Sequence, residues 1–172
     1  PTYSTSAGGS IDFDGGNDSV RTSSEMFNPN ANFTFSAWVY ADSVSTTHTV
    51  VSDRNNAGSF QLRISGGSWQ IVDSYVVDVG TFNNSSPIAT DYWYNITVSR
   101  SSNTYSLYVN GRIVSSFTSS NSYDRGPKDI GTNYTTTELW NGKISQVMSY
   151  NRALSETEIL QNFNHFKHRY SN

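Results

Sequence analysis

The sequence predicts an all-β protein, a two-sheet antiparallel jelly-roll sandwich with one short C-terminal α-helix. Three observations predict this class. Short alternating apolar segments recur along the chain, Gly, Asn and Asp turns separate them, and helical periodicity is confined to the C-terminal end. No repeat of about 20 to 50 residues is present, so a propeller or solenoid is not expected. The 172 residues predict a single domain over 1–172, with residues 1–9 as an N-terminal tail or linker.

About a dozen segments have the composition and spacing of sandwich strands. We predict strands over residues 10–13, 19–22, 32–41, 48–53, 59–65, 68–74, 75–82, 92–100, 104–111, 112–117, 128–133 and 138–150. The clearest is 32–41, in which Phe33, Phe35, Ala37 and Val39 share one face while polar and larger residues alternate with them.

Turn residues predict how these strands are connected. Short turns are expected at 14–18 (DGGND), 66–67 (GG) and 101–103 (SSN), and longer loops at 83–91 and 119–127. Asn110–Gly111 is the strongest hairpin signal, because a two-residue type I′ turn needs positive φ at both positions.

The C-terminal helix is predicted over residues 155–168 and is expected to pack on the sandwich. Ser155 followed by Glu158 forms a capping box, and Leu154 with Ile159 has the spacing of a hydrophobic staple. From Ile159, apolar residues recur at i, i+4 and i+7, which gives the helix one apolar stripe.

Composition excludes several classes of function. The net charge of −3 lacks the basic excess that neutralises phosphates, so no nucleic-acid partner is expected. The absence of cysteine excludes disulfides, thiolate metal sites and cysteine nucleophiles. No apolar run approaches the roughly 20 residues that span a bilayer, so no membrane insertion is expected. The start PTYSTSAGGS has no leader pattern, which is typical of a processed protein or of a domain from a longer one.

Five segments in order resemble laminin-G-like domains of the concanavalin A-like lectin/glucanase superfamily. These are IDFDGGNDSV, FTFSAWVY, YWYNITVSR with YSLYVNGRIV, DIG, and WNGKISQVMSYNRALSETEI, spanning roughly residues 10–160. The resemblance implies the sandwich fold. It says little about function, because function on such a fold depends on variable loops.

Two departures from the family pattern bear on metal binding and on the sheet. Ser145 and Gln146 stand where members often have Asp-Glu, and Asn95 stands where many have His. Related sandwiches often hold structural calcium through acidic side chains, so the missing acid at position 145 argues against such a site. No cofactor is expected, with calcium left open at the DGGND turn through Asp14, Asn17 and Asp18. The alternative there is an Asx-type turn.

The sequence predicts no enzyme. Glucanases of this fold place two Glu residues close together on one strand, where they act as nucleophile and acid. The four Glu residues of this chain form no such pair, and two of them belong to the helix cap: Glu25, Glu138, Glu156 and Glu158. An unrecognised hydrolase is the least favoured of the functions considered.

Loop aromatics, amides and charges are the candidates for sugar binding. Rings stack on apolar sugar faces, and amide or charged groups bond hydroxyls. The candidate ligand-binding residues are Asp53, Arg54, Asn55, Trp69, Tyr75, Tyr123, Asp124, Arg125, Asn133 and Tyr134. Each has a plainer interpretation as an ordinary packing or strand-end residue. Trp38, Trp93 and Trp140 occupy family-like strand positions and are interpreted as packing residues.

The leading hypothesis is a non-catalytic, lectin-like adhesion module that binds glycans or other surface polysaccharides through these loops, away from the helix. The alternative is a structural or decoration domain of a virion, in a phage capsid or tail fibre, whose partners are other virion or surface proteins. Both place the chain in an extracellular setting or on a virion surface.

Overall fold

The computed structural model describes residues 1–53, 60–73, 77–82, 88–123, 125–133 and 135–170. Within these residues, thirteen strands form two antiparallel sheets. The strands are β1 (Thr2–Ser4), β2 (Ser10–Asp14), β3 (Val20–Arg21), β4 (Phe33–Ala41), β5 (His48–Asp53), β6 (Phe60–Ser65), β7 (Ser68–Asp73), β8 (Val77–Phe82), β9 (Trp93–Ser101), β10 (Thr104–Val109), β11 (Arg112–Thr118), β12 (Lys128–Ile130) and β13 (Asn141–Tyr150).

The seven-stranded sheet has the order β1-β2-β13-β4-β9-β10-β11, and the six-stranded sheet has the order β3-β12-β5-β6-β7-β8. Neighbours in both sheets pair antiparallel, as the jelly-roll prediction requires. The predicted strand segments are confirmed apart from their ends, because period-two alternation and turn residues are strong local signals.

The core lies between the two sheets and is rich in aromatic rings. The four residues predicted to share one face of β4 form its inward face, since Phe33, Phe35, Ala37 and Val39 are all buried. Phe27 stacks on Phe33 with ring centroids 4.5 Å apart. Burying each large apolar side chain contributes about 1.5–3 kcal/mol, so this face contributes substantially to the stability of the sandwich.

The N-terminal segment differs from the predicted tail. Residues 2–4 form edge strand β1, which pairs with β2 in the register Thr2↔Asp12 to Ser4↔Ser10. The segment is too short to show an alternating pattern, so its pairing depends on the open edge that β2 provides.

The helix α1 (Glu156–Phe166) is confirmed and is followed by a 3-10 turn, Lys167–Arg169. Ser155 is the N-cap: its Oγ accepts from the N–H of Glu158 at 3.3 Å, and its own N–H donates to the Glu158 carboxylate at 2.8 Å. The predicted staple is also present, because Leu154 and Ile159 are buried together with Tyr108. The helix therefore covers the outer face of the seven-stranded sheet.

Candidate binding groove beside the C-terminal helix

Half of the predicted sugar-binding residues are not described by the structure. Arg54, Asn55, Tyr75, Asp124 and Tyr134 lie outside the described residues. The predictions for them stay predictions.

Asp53 is buried at the end of β5 and is engaged in an ion pair. Its carboxylate accepts from the ammonium group of Lys128, and both side chains are fully buried. The Lys128 ammonium also lies 4.7 Å from the ring centroid of Phe27. Burial raises the pKa of Asp53 to about 6, although Lys128 acts in the opposite direction. Asp53 is therefore a structural residue in this arrangement, and its assignment as a sugar ligand is corrected.

Trp69 and Tyr123 are also core residues, which corrects their assignment as stacking platforms. Trp69 is 1% exposed and Tyr123 is 4% exposed. Tyr123 meets Phe60 edge to face, with ring centroids 5.5 Å apart. A ring enclosed on both faces cannot stack on a sugar, and sequence alone did not reveal that these aromatics point inward.

Asn133 and Arg125 have different environments. Asn133 is buried, and its Oδ1 accepts from the N–H groups of Thr137 at 3.0 Å and Glu138 at 3.3 Å, so the side chain holds its own turn together. Arg125 keeps more than half of its side chain exposed and pairs with Glu25, its Nε lying 3.0 Å from Oε1. Among the predicted ligand residues that the structure describes, Arg125 alone is well exposed.

The carboxylates of the DGGND turn bond within the turn, and Asp18 also pairs with the N-terminal ammonium group of Pro1. Asp14 Oδ1 accepts from the N–H of Gly16 at 2.7 Å, and Asp18 Oδ2 accepts from the N–H of Asp14 at 3.1 Å. These bonds form the Asx-type arrangement, whereas Asn17 is exposed beside them. In the described part of the chain, no three His, Cys, Asp or Glu side chains cluster as metal ligands would. Calcium at this turn stays a prediction.

A groove of about 430 Å³ lies between α1 and the outer face of the seven-stranded sheet. Strands β4 and β9, the β10–β11 turn, α1 and the segment after it each contribute to its wall. Its lining residues are Trp38, Trp93, Asn110, Phe163, Lys167, His168 and Tyr170. A cavity of this size, with aromatic walls and a few polar groups, has the general character of a small-ligand site.

Trp38 forms a rigid aromatic support for the groove. Its indole stacks with Phe163 at 5.5 Å and with Tyr170 at 4.0 Å between ring centroids, at interplanar angles of 17° and 11°. The Tyr170 hydroxyl lies 2.9 Å from Ser145 Oγ, and Arg169 donates to Gln146 Oε1 at 2.9 Å. The two residues that depart from the family pattern at 145 and 146 thus anchor the C-terminal segment.

Trp93 is the partly exposed aromatic residue of the groove. It contacts Tyr40 and Tyr170 at centroid distances of 5.5 Å and 5.0 Å, with the rings tilted by 56° and 58°. Both neighbouring rings are tilted, so neither is stacked parallel on the indole. The packing interpretation therefore holds for buried Trp38 and Trp140, whereas Trp93 packs on one side and lines a groove on the other.

Polar groups surround Trp93 in the groove. Asn110 has φ +52° and Gly111 has φ +75°, as the Asn-Gly hairpin signal predicts. Asn110 Oδ1 accepts from the Asn95 N–H at 2.9 Å, which fixes the amide and leaves its NH₂ group as a donor. Lys167 and His168 are exposed at the same groove.

The sequence did not indicate this groove, because its residues are distant along the chain. Strands β4 and β9 pair Tyr40 with Trp93, and the helix then adds residues 163–170 beside them. The one signal in the sequence was Trp93, an aromatic residue near the start of a predicted strand. Only the structure shows that it lies beside the Asn110–Gly111 turn.

Comparisons with known proteins agree with this fold. A family model described as the concanavalin A-like lectin/glucanases superfamily matches residues 14–160. A search of curated protein sequences gives no significant match. None of the described helices is both long and apolar enough to span a bilayer.

Several solved structures have a similar fold at low sequence identity. Domain 4 of an extracellular arabinanase from Geobacillus stearothermophilus, solved with arabinotriose, has a TM-score of 0.76 and 18% identity, with 93% of this chain and 79% of that chain covered. The binding domain of Paraclostridial mosquitocidal protein 1 has a TM-score of 0.72 and 17% identity, with coverage of 96% and 45%. The binding domain of botulinum neurotoxin serotype G has a TM-score of 0.63 and 18% identity, with coverage of 94% and 44%. This chain thus spans less than half of either toxin domain.

Proposed function

Since the chain belongs to the concanavalin A-like lectin/glucanases superfamily, we propose that it is a non-catalytic, lectin-like module that binds a glycan in the groove beside α1. One observation carries this proposal: Trp93 is a partly exposed indole in a groove whose aromatic wall is held by the stacking of Trp38 with Phe163 and Tyr170. The module would act outside the cell, where surface polysaccharides are accessible.

The chemistry of the groove suits a sugar ring. The C–H face of a sugar is apolar and lies flat on an aromatic face, while its hydroxyls need donors and acceptors around the rim. Trp93 supplies the ring, and Asn110 and Lys167 supply donors. Because stacking and turn geometry already hold Trp38 and Asn110, little side-chain freedom is lost on binding.

The groove-lining residues include no carboxylate, which supports a non-catalytic role. Glycoside hydrolysis needs two carboxyl groups on either side of the scissile bond. Elsewhere, Glu25 pairs with Arg125, Glu138 with Arg63, and Glu158 with Arg152 and the helix cap.

Two comparisons favour a binding role at the level of the fold. The arabinanase domain was solved with arabinotriose, and the mosquitocidal protein domain is a binding domain. At 17–18% identity these likenesses concern the architecture, so the glycan assignment depends on the groove itself.

A glycan array followed by affinity electrophoresis tests this proposal, with Trp93→Ala and the matched variant Tyr92→Ala. Tyr92 is the neighbouring aromatic residue, 55% exposed, and does not line the groove. We expect the unmodified chain to bind at least one polysaccharide, Trp93→Ala to weaken binding at least about tenfold, and Tyr92→Ala to leave it within about twofold. Melting curves establish that both variants fold.

Two results would overturn the proposal. One is the absence of binding to any glycan on the array. The other is a folded Trp93→Ala variant that binds as tightly as the unmodified chain. The virion alternative stays open beside the proposal; it predicts a stable oligomer or capture by other virion proteins without any glycan binding, which size-exclusion chromatography and the same array separate.

A further inference from the structure

The groove carries a positive charge, and this bears on which glycan it accepts. Lys167 and His168 both line it, and none of its lining residues is acidic. Resting on the function proposed above, we propose that the groove selects acidic glycans, those whose sugar units carry a carboxylate or a sulfate group.

The charge of this region is opposite to that of the chain as a whole. The chain has a net charge of −3, but its last acidic residue is Glu158. Between Glu158 and Tyr170, Lys167 and Arg169 are the charged side chains, and no acidic side chain lies among these residues. Two cationic side chains therefore lie in the C-terminal segment that forms part of the groove wall.

Lys167 differs from neighbouring cations in what its charge contacts. Arg169 donates to Gln146 and to the Gly8 carbonyl, at 2.9 Å and 2.8 Å. Lys143 lies 3.8 Å from Asp12, and Arg152 is paired with Glu158. Within the described residues, the Lys167 ammonium group contacts only the ring of Phe163, whose centroid lies 5.9 Å from Nζ. Its ammonium group is thus held near the groove without an ion pair.

Two features oppose an anion here. Asp91 lies near the groove, but it accepts from the Tyr40 hydroxyl at 3.2 Å and does not line the cavity. The C-terminal end of α1 carries a partial negative charge of about half a unit, which the C-cap bond from the Lys167 N–H to the Phe163 carbonyl partly satisfies. A full positive charge on Lys167 exceeds this.

A single sugar unit could contact both determinants, because Trp93 and Lys167 line one groove of about 430 Å³. Stacking on the indole does not distinguish acidic from neutral sugars, whereas a charge-assisted hydrogen bond does. Such a bond is about twice as strong as a neutral one. Trp93 would therefore supply general affinity and Lys167 would supply selectivity.

The test measures retardation of the full chain in gels containing polygalacturonate, dextran sulfate, neutral arabinan or neutral dextran, at low and moderate salt. The variants are Lys167→Gln and the matched control Lys143→Gln, which removes the same charge from the same face outside the groove. We expect tighter binding to an acidic polymer, weakening with salt, and a loss of about tenfold on Lys167→Gln only. Comparing polygalacturonate with dextran sulfate identifies whether the groove prefers a carboxylate or a sulfate group.

The outcomes separate this inference from the proposed function. Equal or tighter binding of the neutral polymers, or equal effects of the two lysine variants, would overturn the selectivity while Trp93-dependent binding still stood. Failure of every polymer and array glycan to bind would remove the proposed function, and the inference with it.

Discussion

Lys128 and Lys167 are both lysines beside aromatic rings, but their surroundings differ completely. Lys128 is fully buried at the loop end of the sandwich, which we define by Phe27, Asp53, Phe60, Tyr123 and Lys128, and its charge is paired with Asp53. Lys167 is exposed in the groove beside α1, and among the residues that the structure describes its charge contacts only an aromatic ring. The same residue type is thus structural in one region and accessible in the other.

This comparison shows why residue type alone did not identify the groove as the candidate binding site. The loop end contains the aromatic and charged residues that sugar sites use, but these groups are buried against one another inside the protein. Burial of a charge requires a partner, so a buried pair is evidence of internal organisation. A binding site needs groups that are held in place yet still accessible, and the groove meets both conditions.

The largest expected effect is on the loop end. Lys128→Met leaves the Asp53 carboxylate buried without its partner, and we expect a loss of about 3–5 kcal/mol in the free energy of unfolding near neutral pH. Urea denaturation measures this loss, with Lys143→Gln as the control. Lys143 is partly exposed and lies 3.8 Å from Asp12, so the change should cost under about 1 kcal/mol. Below the melting transition, glycan binding should be unchanged, because the groove is built from other residues. A loss below about 1 kcal/mol for Lys128→Met would contradict the assignment.

The next effect concerns the support of the groove. Ile159 is 2% exposed in a small cluster with Tyr108 and Leu154, so Ile159→Ala should cost about 2–4 kcal/mol. It should also weaken glycan binding, since α1 carries Phe163 and leads into Lys167. Leu160→Ala is the matched control: Leu160 is 42% exposed and should change the free energy of unfolding by well under 1 kcal/mol. Unchanged stability of Ile159→Ala would mean that the helix is not docked as described.

The pH dependence of stability tests the loop end without disturbing its packing. Because burial raises the pKa of Asp53 from 3.8 to about 6, its protonated form stabilises the folded chain. That contribution is fully present below about pH 3.8 and is lost as the pH rises through about 6. Asp53→Asn leaves the Lys128 ammonium group buried without its anionic partner, so it should lower stability overall. It should also remove up to about 1.4 kcal/mol of this decrease per pH unit in that window. Urea titrations of both proteins at several pH values measure the difference, and parallel curves would contradict the raised pKa.

The smallest effect is at the helix N-terminus. Ser155→Ala removes the N-cap acceptor of the capping box and should cost about 1 kcal/mol of stability. Thr157→Ala is the control, because Thr157 is exposed and lies two residues further on in the first turn of α1. This change should be neutral or slightly stabilising, since alanine has the higher helix propensity. If the two variants had equal melting temperatures, the cap would contribute nothing measurable. Neither change should alter glycan binding, which would confine the cap to a structural role.

Much of the architecture was predictable because its signals are local. The inward face of β4, the Asn110–Gly111 turn and the Ser155 capping box each depend on residues within a few positions of one another. The departures Ser145 and Gln146 were visible in the sequence too, but their roles were not. Their hydrogen bonds to Tyr170 and Arg169 join residues more than twenty positions apart.

The sequence by itself determined the fold class, the family, most strands and the helix with its cap. Alternation, turn chemistry and capping act over short distances, so composition and order are enough to specify them. Only the tertiary structure decided which aromatic and charged residues are accessible. Trp69, Tyr123 and Lys128 became core, while Trp93 and Lys167 came to line one groove. Exposure depends on what packs over a residue from elsewhere in the chain, and no local pattern encodes that.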